Sequence, residues 1–295
     1  MSHAADNRTL KHGCIVMASG AGVRFGGNKL MAELCGEPLV GHVVRATDGL
    51  FDRRVVITRH VDVAALCETL GAQVVLHDEP GRNDTVRLGM EAMDGCDTVT
   101  FVQGDQPLIR PASIAALLRA AEHDAASEHH AAAEHDAAAA AGRDAIGAAG
   151  RDAEGRDAEG RDAAEDYDTE HDAAESGVDV AVGRDAAGCD AACVAEHDAV
   201  WRDAAGCGVT DVSGRPSARI WRTCFDGAPG APVLFPSWAF DELRSLPHGK
   251  GGGFVAKMHA EYVRTIEVSS EWELSDVDTR DDLQQLQAYV VRRGM

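Results

Sequence analysis

Residues 14–29 read Cys-Ile-Val-Met-Ala-Ser-Gly-Ala-Gly-Val-Arg-Phe-Gly-Gly-Asn-Lys, and the rest of the chain is arranged around them. Cys14 to Ala18 is a short apolar run of the kind a buried parallel strand makes. It empties into a loop holding Gly20, Gly22, Gly26 and Gly27. Glycine carries no Cβ, so such a loop can turn tightly and present backbone N–H groups to a ligand. Arg24 and Lys29 add two positive charges to this cradle. A strand, a glycine turn and two cations suit a polyphosphate, whereas the plainer reading is a βα turn that happens to be rich in glycine.

Two other glycine loops fail on named residues. The dinucleotide fingerprint needs a third glycine three positions after the second, and Phe25 stands there, which weakens any reading as a nicotinamide-dependent oxidoreductase. The nucleoside-triphosphatase loop needs Gly-Lys followed by Ser or Thr, whereas Lys29 follows Asn28 and precedes Leu30.

Outward from the loop, Pro38 sits near the first turn of a helix with Leu39, Val43 and Val44 on one face. Arg54 to Thr58 reads as a strand, Val61 to Leu70 as a helix stopped by Gly71, and Gln73 to Leu76 as a third strand. Asn83, Asp84 and Thr85 supply capping side chains for a helix running to about Met93. Thr98 to Val102 is a fourth strand, and Pro111 to Ala121 a further helix. Strands alternating with helices define an α/β fold with a doubly wound, mostly parallel sheet. Ligands of such sheets sit beyond the carboxyl ends of the strands, where the glycine loop and the next motif, Gly104-Asp105-Gln106-Pro107, both fall. An aspartate there is placed to hold a hard cation against a phosphate, or else to cap the turn before Pro107.

The formal net charge is -21 over 295 residues, with 45% hydrophobic residues. Residues 121–206 carry 23 acidic residues against six arginines and no lysine, so nearly all of the acidity is local. The remainder is close to balanced, and no basic footprint for nucleic acid is present. Within 121–206 the units Glu-His-Asp-Ala-Ala and Gly-Arg-Asp-Ala recur, with no Leu, Phe or Met. So few large apolar side chains cannot offset the backbone entropy of ordering, about 1 to 2 kcal/mol per residue. The segment is therefore expected to be a disordered or partly helical low-complexity insertion within a single domain spanning 12–295, with Val178 to Val182 as a candidate added strand. Cys189, Cys193 and His197 would share a helical face there, but the repeat accounts for them without a metal. No apolar run precedes Cys14, no stretch approaches a membrane span, and the cysteines are too scattered for a disulfide scaffold, so a cytoplasmic protein with free thiols and no membrane association is expected.

Past the insertion, Arg219 to Thr223 reads as a strand, followed by Gly227-Ala228-Pro229-Gly230-Ala231-Pro232-Val233-Leu234-Phe235-Pro236 and a helix from Ser237 to Leu246. Lys250 with Gly251 to Gly253 reads either as an anion-facing loop or as a plain connector. Arg264 to Val268 alternates as a late strand. In Leu274-Ser275-Asp276-Val277-Asp278-Thr279-Arg280-Asp281-Asp282-Leu283, Thr279 and Asp282 make a capping pair for a final helix and put Asp278 at its mouth.

Together these motifs resemble the nucleotidyltransferase superfamily. Met17 to Lys29 matches its Leu-Ala-Ala-Gly-x-Ser/Gly-x-Arg-Met-Gly-x-x-Lys signature in spacing. Gly104 to Pro107, the Gly227 to Phe235 stretch and Asp276 to Leu283 look most like the molybdenum cofactor cytidylyltransferases. The resemblance covers residues 12 to about 120 and 215 to 290. It implies transfer of CMP from CTP to molybdenum-carrying molybdopterin, with pyrophosphate released. It implies Mg²⁺ as cofactor, held by Asp105 and Asp278. Ala18, Ser19, Gly20, Ala21 and Gly22 would cradle the nucleotide, Arg24 and Lys29 would neutralise its phosphates, Asn83, Asp84 and Thr85 would lie in the base-contacting loop, and Gln106 would set base preference. Arg24, Lys29 and Asp105 are the expected catalytic residues. A molybdenum hydroxylase or its maturation factor is the implied protein partner. Two departures stand out: Ser19 replaces the family's alanine, and Arg280 its proline. Guanylyl transfer, transfer to a sugar phosphate and a non-catalytic cofactor chaperone remain as alternatives.

Overall fold

A computed structural model describes residues 9–127 and 218–294. The apolar run before the glycine loop forms β1 (His12–Ala18), which pairs in parallel with β4 (Arg53–Thr58) on one side and β6 (Thr98–Gln103) on the other. Beyond β4 lies β5 (Gln73–Leu76), also parallel. On the far side of β6 come β8 (Ala228–Pro236), β7 (Ile220–Phe225) and β9 (Val263–Glu267), completing the order β5-β4-β1-β6-β8-β7-β9. Only β8 runs against its neighbours. A separate two-stranded ribbon joins β2 (Glu33–Leu34) to β3 (Glu37–Pro38). The helices are α1 (Leu39–Ala46), α2 (Val61–Thr69), α3 (Arg82–Glu91), α4 (residues 111–127), α5 (Phe240–Arg244), α6 (Gly252–Met258) and α7 (Arg280–Arg293).

Successive residues of a strand point to opposite faces, and β1 divides the core accordingly. Ile15 packs with Val86 and Met90 of α3 and with Leu243 and Val255 of α5 and α6. Cys14, Val16 and Ala18 pack on the other face with Val40 and Val44 of α1, Val63 of α2 and Ile114 of α4. The alternating strands and helices thus build the expected doubly wound α/β sheet, and β1 lies at its switch point between β4 and β6.

Several elements differ from the sequence reading: α6 takes in Gly252 and Gly253 of the expected loop, the expected Ser237 to Leu246 helix is a 3-10 turn followed by α5, and the β2–β3 ribbon is absent from that reading. The proline-rich stretch after Gly227 is the nine-residue strand β8, lying between β6 and β7. Of its prolines, Pro232 falls where the register against β7 slips between Arg222 and Cys224, whereas Pro229 stands opposite Cys224 and Pro236 closes the strand opposite Thr98 of β6. The helix that begins after Arg110 runs beyond Ala121 to residue 127. Leu117, Ala120 and Ala121 pack with Trp221, Leu234 and Ile266, and Asp124 accepts from Trp221 Nε1 at 2.8 Å and from the Arg219 N–H at 3.3 Å. The rest of the expected 121–206 insertion, the candidate strand at 178–182 and the Cys189, Cys193 and His197 face lie outside the described residues. Among the described residues, no helix is long and apolar enough to cross a membrane.

Candidate active site

The glycine loop folds around one carbonyl. Gly22 has φ +61°, and its oxygen accepts from the N–H groups of Phe25 and Gly26 at 3.0 Å and of Gly27 at 3.4 Å. A Cβ at Gly22 would stand 2.0 Å from the Gly27 oxygen, so the turn admits only glycine. Phe25, the residue that breaks the dinucleotide pattern, is buried with Leu34, Leu39, Val277, Leu286 and Val290, and the Arg280 guanidinium lies 5.0 Å over its ring. The loop is therefore fastened to α7, near the C-terminus of the chain. At its start, the buried Ala18 carbonyl accepts from Thr58 Oγ1 at 2.8 Å. Ser19 Oγ donates to the Ile57 carbonyl at 3.0 Å, lies 2.7 Å from His77 Nε2, and its own carbonyl accepts from Arg59 Nε at 3.2 Å. The Gly20 carbonyl accepts from His60 Nε2 at 3.0 Å.

Asp105 is set by β6. The Gly104 N–H donates to Met17 O at 3.0 Å, and a Cβ there would crowd the same oxygen at 3.1 Å. The Asp105 carbonyl then accepts from the Val277 N–H at 3.0 Å, which draws the C-terminal motif across the strand ends. The capping box of α7 fixes the backbone on either side of Asp278: Asp282 accepts from the N–H groups of Asp278 at 3.0 Å and Thr279 at 2.7 Å, and its own N–H donates to Thr279 Oγ1 at 3.1 Å.

The outcome is a four-member cluster. Lys29 Nζ lies 2.6 Å from Asp105 Oδ2 and 2.8 Å from Asp278 Oδ1, although Asp278 comes 249 positions later. Arg24 Nη2 reaches the second Asp278 oxygen at 2.7 Å. Lys29 is 9% exposed and Arg24 72%, so the ammonium is embedded while the guanidinium stands at the rim. Burial would lower the Lys29 pKa, but hydrogen bonds to Asp105 and Asp278 and their charges outweigh it and hold the value above that of a free lysine. The Lys29 hydrogen bond and, beyond it, the Arg24 charge keep Asp278 below the usual carboxylate range against the opposing effect of burial.

A cavity of about 820 Å³ opens over this cluster. Of the expected nucleotide contacts, Ser19, Gly20, Ala21, Gly22, Arg24, Lys29, Thr85 and Gln106 line it. Ala18, Asn83 and Asp84 are not among its lining residues. Asn83 Oδ1 accepts from the Gly249 N–H at 2.9 Å, and Asp84 accepts from the Gly81 N–H at 3.0 Å as the capping residue of α3. Gln106 is 2% exposed, donates from Nε2 to the Leu274 carbonyl at 3.1 Å, and keeps its Oε1 without a hydrogen-bond partner. Gly251 to Gly253 line the cavity, whereas Lys250 Nζ rests 5.8 Å above the Phe254 ring.

Arg59, Arg82, Arg222 and Asp276 also line the cavity, beyond the residues expected from the sequence. Arg59 directly follows β4, so the strand-end rule that singles out Asp105 points to it as well. Asp276 shares its motif with Asp278. It opens onto the cavity, yet burial on its protein side, reinforced by the Asp105 charge, pushes its pKa up to about 6. A carboxyl raised in this way is protonated more readily in the folded chain than in the unfolded one. The stability this group contributes therefore falls as pH rises from about 4, the unfolded value, to about 6, and is level above that. Asp276→Asn is expected to raise the Tm by about 1 to 3 °C at pH 8 and leave it nearly unchanged at pH 4, the effect being reduced by solvent in the cavity. Thermal unfolding in EDTA at the two pH values tests this, and an equal shift at both would rule it out.

Two carboxylates sharing one cation suit magnesium. Their oxygens approach a single nitrogen at 2.6 and 2.8 Å, so they face one another across a gap already filled by positive charge. Mg²⁺ usually takes one or two protein carboxylates and completes its shell with water and substrate phosphates.

Fold and site define a nucleotidyltransferase-type α/β protein. Over most of its length the chain aligns with a nucleotidyl transferase from Methanothermobacter (TM-score 0.56, 14% identity, 96% of this chain and 99% of that one). It also aligns with a Mycobacterium tuberculosis protein solved in complex with manganese (TM-score 0.51, 16% identity, 94% and 98%). At these identities the likeness shows the fold alone. The chain belongs to the MobA-like NTP transferase domain family, which it matches over residues 14–264. Among curated relatives it is 39% identical over 114 residues to a 3-deoxy-manno-octulosonate cytidylyltransferase of Anaeromyxobacter, covering 37% of this chain and 46% of that protein. It is 32% identical over 114 residues to the bifunctional protein GlmU of Oleidesulfovibrio alaskensis, covering 36% and 25%. The chain thus spans less than half the length of these relatives.

Proposed function

We propose that the protein transfers CMP from CTP to a molybdopterin-type acceptor carrying molybdenum, with pyrophosphate as the second product. The observation that carries the nucleotidyl-transfer part is the Lys29 ammonium held between Asp105 and Asp278 beneath the glycine loop. In this reading the N–H groups of Ser19 to Gly22 and the charges of Arg24 and Lys29 receive the triphosphate, and the fixed charges offset the negative charge that grows on the departing pyrophosphate. Mg²⁺ held by Asp105 and Asp278 would neutralise the phosphate oxygens brought together there. CTP as donor is supported by relatives named as cytidylyltransferases and by the Gly104-Asp105-Gln106-Pro107 motif. The molybdopterin acceptor rests on the motif resemblance.

The named relative favours a second reading, CMP transfer to a sugar acid. A panel of CTP and GTP with molybdopterin, 3-deoxy-manno-octulosonate and a sugar 1-phosphate, followed by pyrophosphate release, tests both. Turnover only with CTP and molybdopterin is expected. GTP outperforming CTP would overturn the donor, and turnover with the sugar acid alone would replace the acceptor.

In the same proposal, residues 128–206 of the low-complexity segment are an insertion into one catalytic domain and take no part in transfer. The flanking segments meet at Asp124 and Arg219, so a short Gly/Ser linker can join them. The shortened chain is expected to fold and to turn over within about threefold of the full chain, since closing a shorter loop costs less entropy, by about 0.6 kcal/mol for each halving of its length, and the site residues are untouched. Loss of the cooperative thermal transition in the shortened chain would refute this.

A further inference from the structure

The cavity has a second cationic pole, distinct from Arg24 and Lys29. Arg222 lies on β7 in one cross-sheet row with Ile15, Phe101 and Val233, three apolar residues of the core face. It continues that row, between Val233 and Thr265 of β9, with a half-buried guanidinium. Nε and Nη2 donate to the Gly230 carbonyl at 3.2 and 2.8 Å, and no described residue forms an ion pair with it. Burial lowers its pKa, with no carboxylate offsetting the effect. The similarly buried Arg54, by contrast, pairs with Asp48 at 2.9 Å. A guanidinium withdrawn from water is costly unless an anion meets it, and here the open side is the cavity. Arg82 enters the same cavity. Its exposed side chain lies against Gly251, where a Cβ would come within 2.9 Å of Arg82 Cδ. Phe101 and Phe235, stacked edge to face with centroids 5.7 Å apart, lie buried behind the cavity wall beside them.

We propose that Arg222 and Arg82 form the acceptor half of the cavity, binding an anionic group of the acceptor, a phosphomonoester or a carboxylate. The assignment as acceptor half rests on the nucleotidyl-transfer reading, with Arg24 and Lys29 serving the donor. Arginine suits the task because its planar fork meets either anion in bidentate fashion.

Calorimetric titration of the full chain with phenyl phosphate and, separately, with benzoate tests the proposal. Titration with CTP and MgCl₂ reports independently on the donor half. One of the two aromatic anions is expected to bind, and which one does so distinguishes a phosphomonoester from a carboxylate acceptor. Arg222→Met should weaken that binding by about tenfold to a hundredfold, and Arg82→Met by about tenfold, with CTP affinity within about twofold of the parent. Arg222→Lys, which keeps the charge and loses the fork, should fall between parent and Arg222→Met, and it carries the test if the methionine variant melts early. Absence of binding by both anions, or parental affinity in both Arg222→Lys and Arg82→Met, would overturn the proposal. Failure of CTP to bind while an aromatic anion does would instead sink the transferase reading and leave the anion site standing.

Discussion

Asp105→Ala is expected to lower the rate of nucleotidyl transfer by about a hundredfold or more, the scale seen when one preorganised charged group is removed from a site of this kind. The loss should appear in kcat, because Asp105 does not form the glycine loop that would hold the triphosphate. Stability should change by no more than about 1 kcal/mol, since Lys29 keeps its 2.8 Å contact with Asp278 and the backbone bond from Val277 N–H to the Asp105 carbonyl is untouched. Asp105→Asn preserves the shape and removes only the charge, so it should lose nearly as much rate. Steady-state kinetics beside a thermal melt decide the matter. Either variant turning over at the parental rate would show that the carboxylate has no part in the chemistry.

Lys29→Met should move two measurements in opposite directions. Transfer should again fall by about a hundredfold, because the ammonium that would face the departing pyrophosphate is gone. Binding of Mn²⁺ in the absence of nucleotide should tighten by about tenfold, equivalent to about 1.4 kcal/mol. The physical reason lies in the geometry: Lys29 Nζ bonds both Asp105 and Asp278, so in the nucleotide-free chain it competes with any divalent ion for the same pair of carboxylates. Without it the two anions face each other with only Arg24 nearby, and a metal relieves their repulsion. Counting free Mn²⁺ by electron paramagnetic resonance reads the affinity directly. Unchanged or weaker Mn²⁺ binding would mean that the carboxylates do not share one cation position.

These two experiments rest on different kinds of information. The glycine loop, Arg24, Lys29 and Asp105 were legible because each lies on a loop that leaves a strand's carboxyl end, β1 ending at Ala18 and β6 at Gln103, and local pattern suffices to place a strand end. Asp278 was legible only as a motif. Its meeting with Lys29 depends on the Val277 to Asp105 backbone bond and on the capping of α7, contacts that couple opposite ends of the chain. Asn83 and Asp84 show the converse. Their sequence position suits a base-contacting loop or a helix cap equally, and the fold turns one toward Gly249 and the other toward Gly81. The strand β8 was hidden by its prolines, of which Pro232 falls where the partner's register slips and a missing N–H matters little.

By itself, then, the sequence determined the alternation of strands and helices, the tight turn at Gly22 and the identity of the charged groups beside it, because periodicity, glycine geometry and side-chain chemistry are local properties. Only the tertiary structure decided that Lys29 stands between Asp105 and Asp278, and that Arg82 and Arg222 open into the same cavity. Those placements come from sheet register and long-range backbone bonds, which bring distant residues within hydrogen-bonding distance and leave no trace in the spacing along the chain.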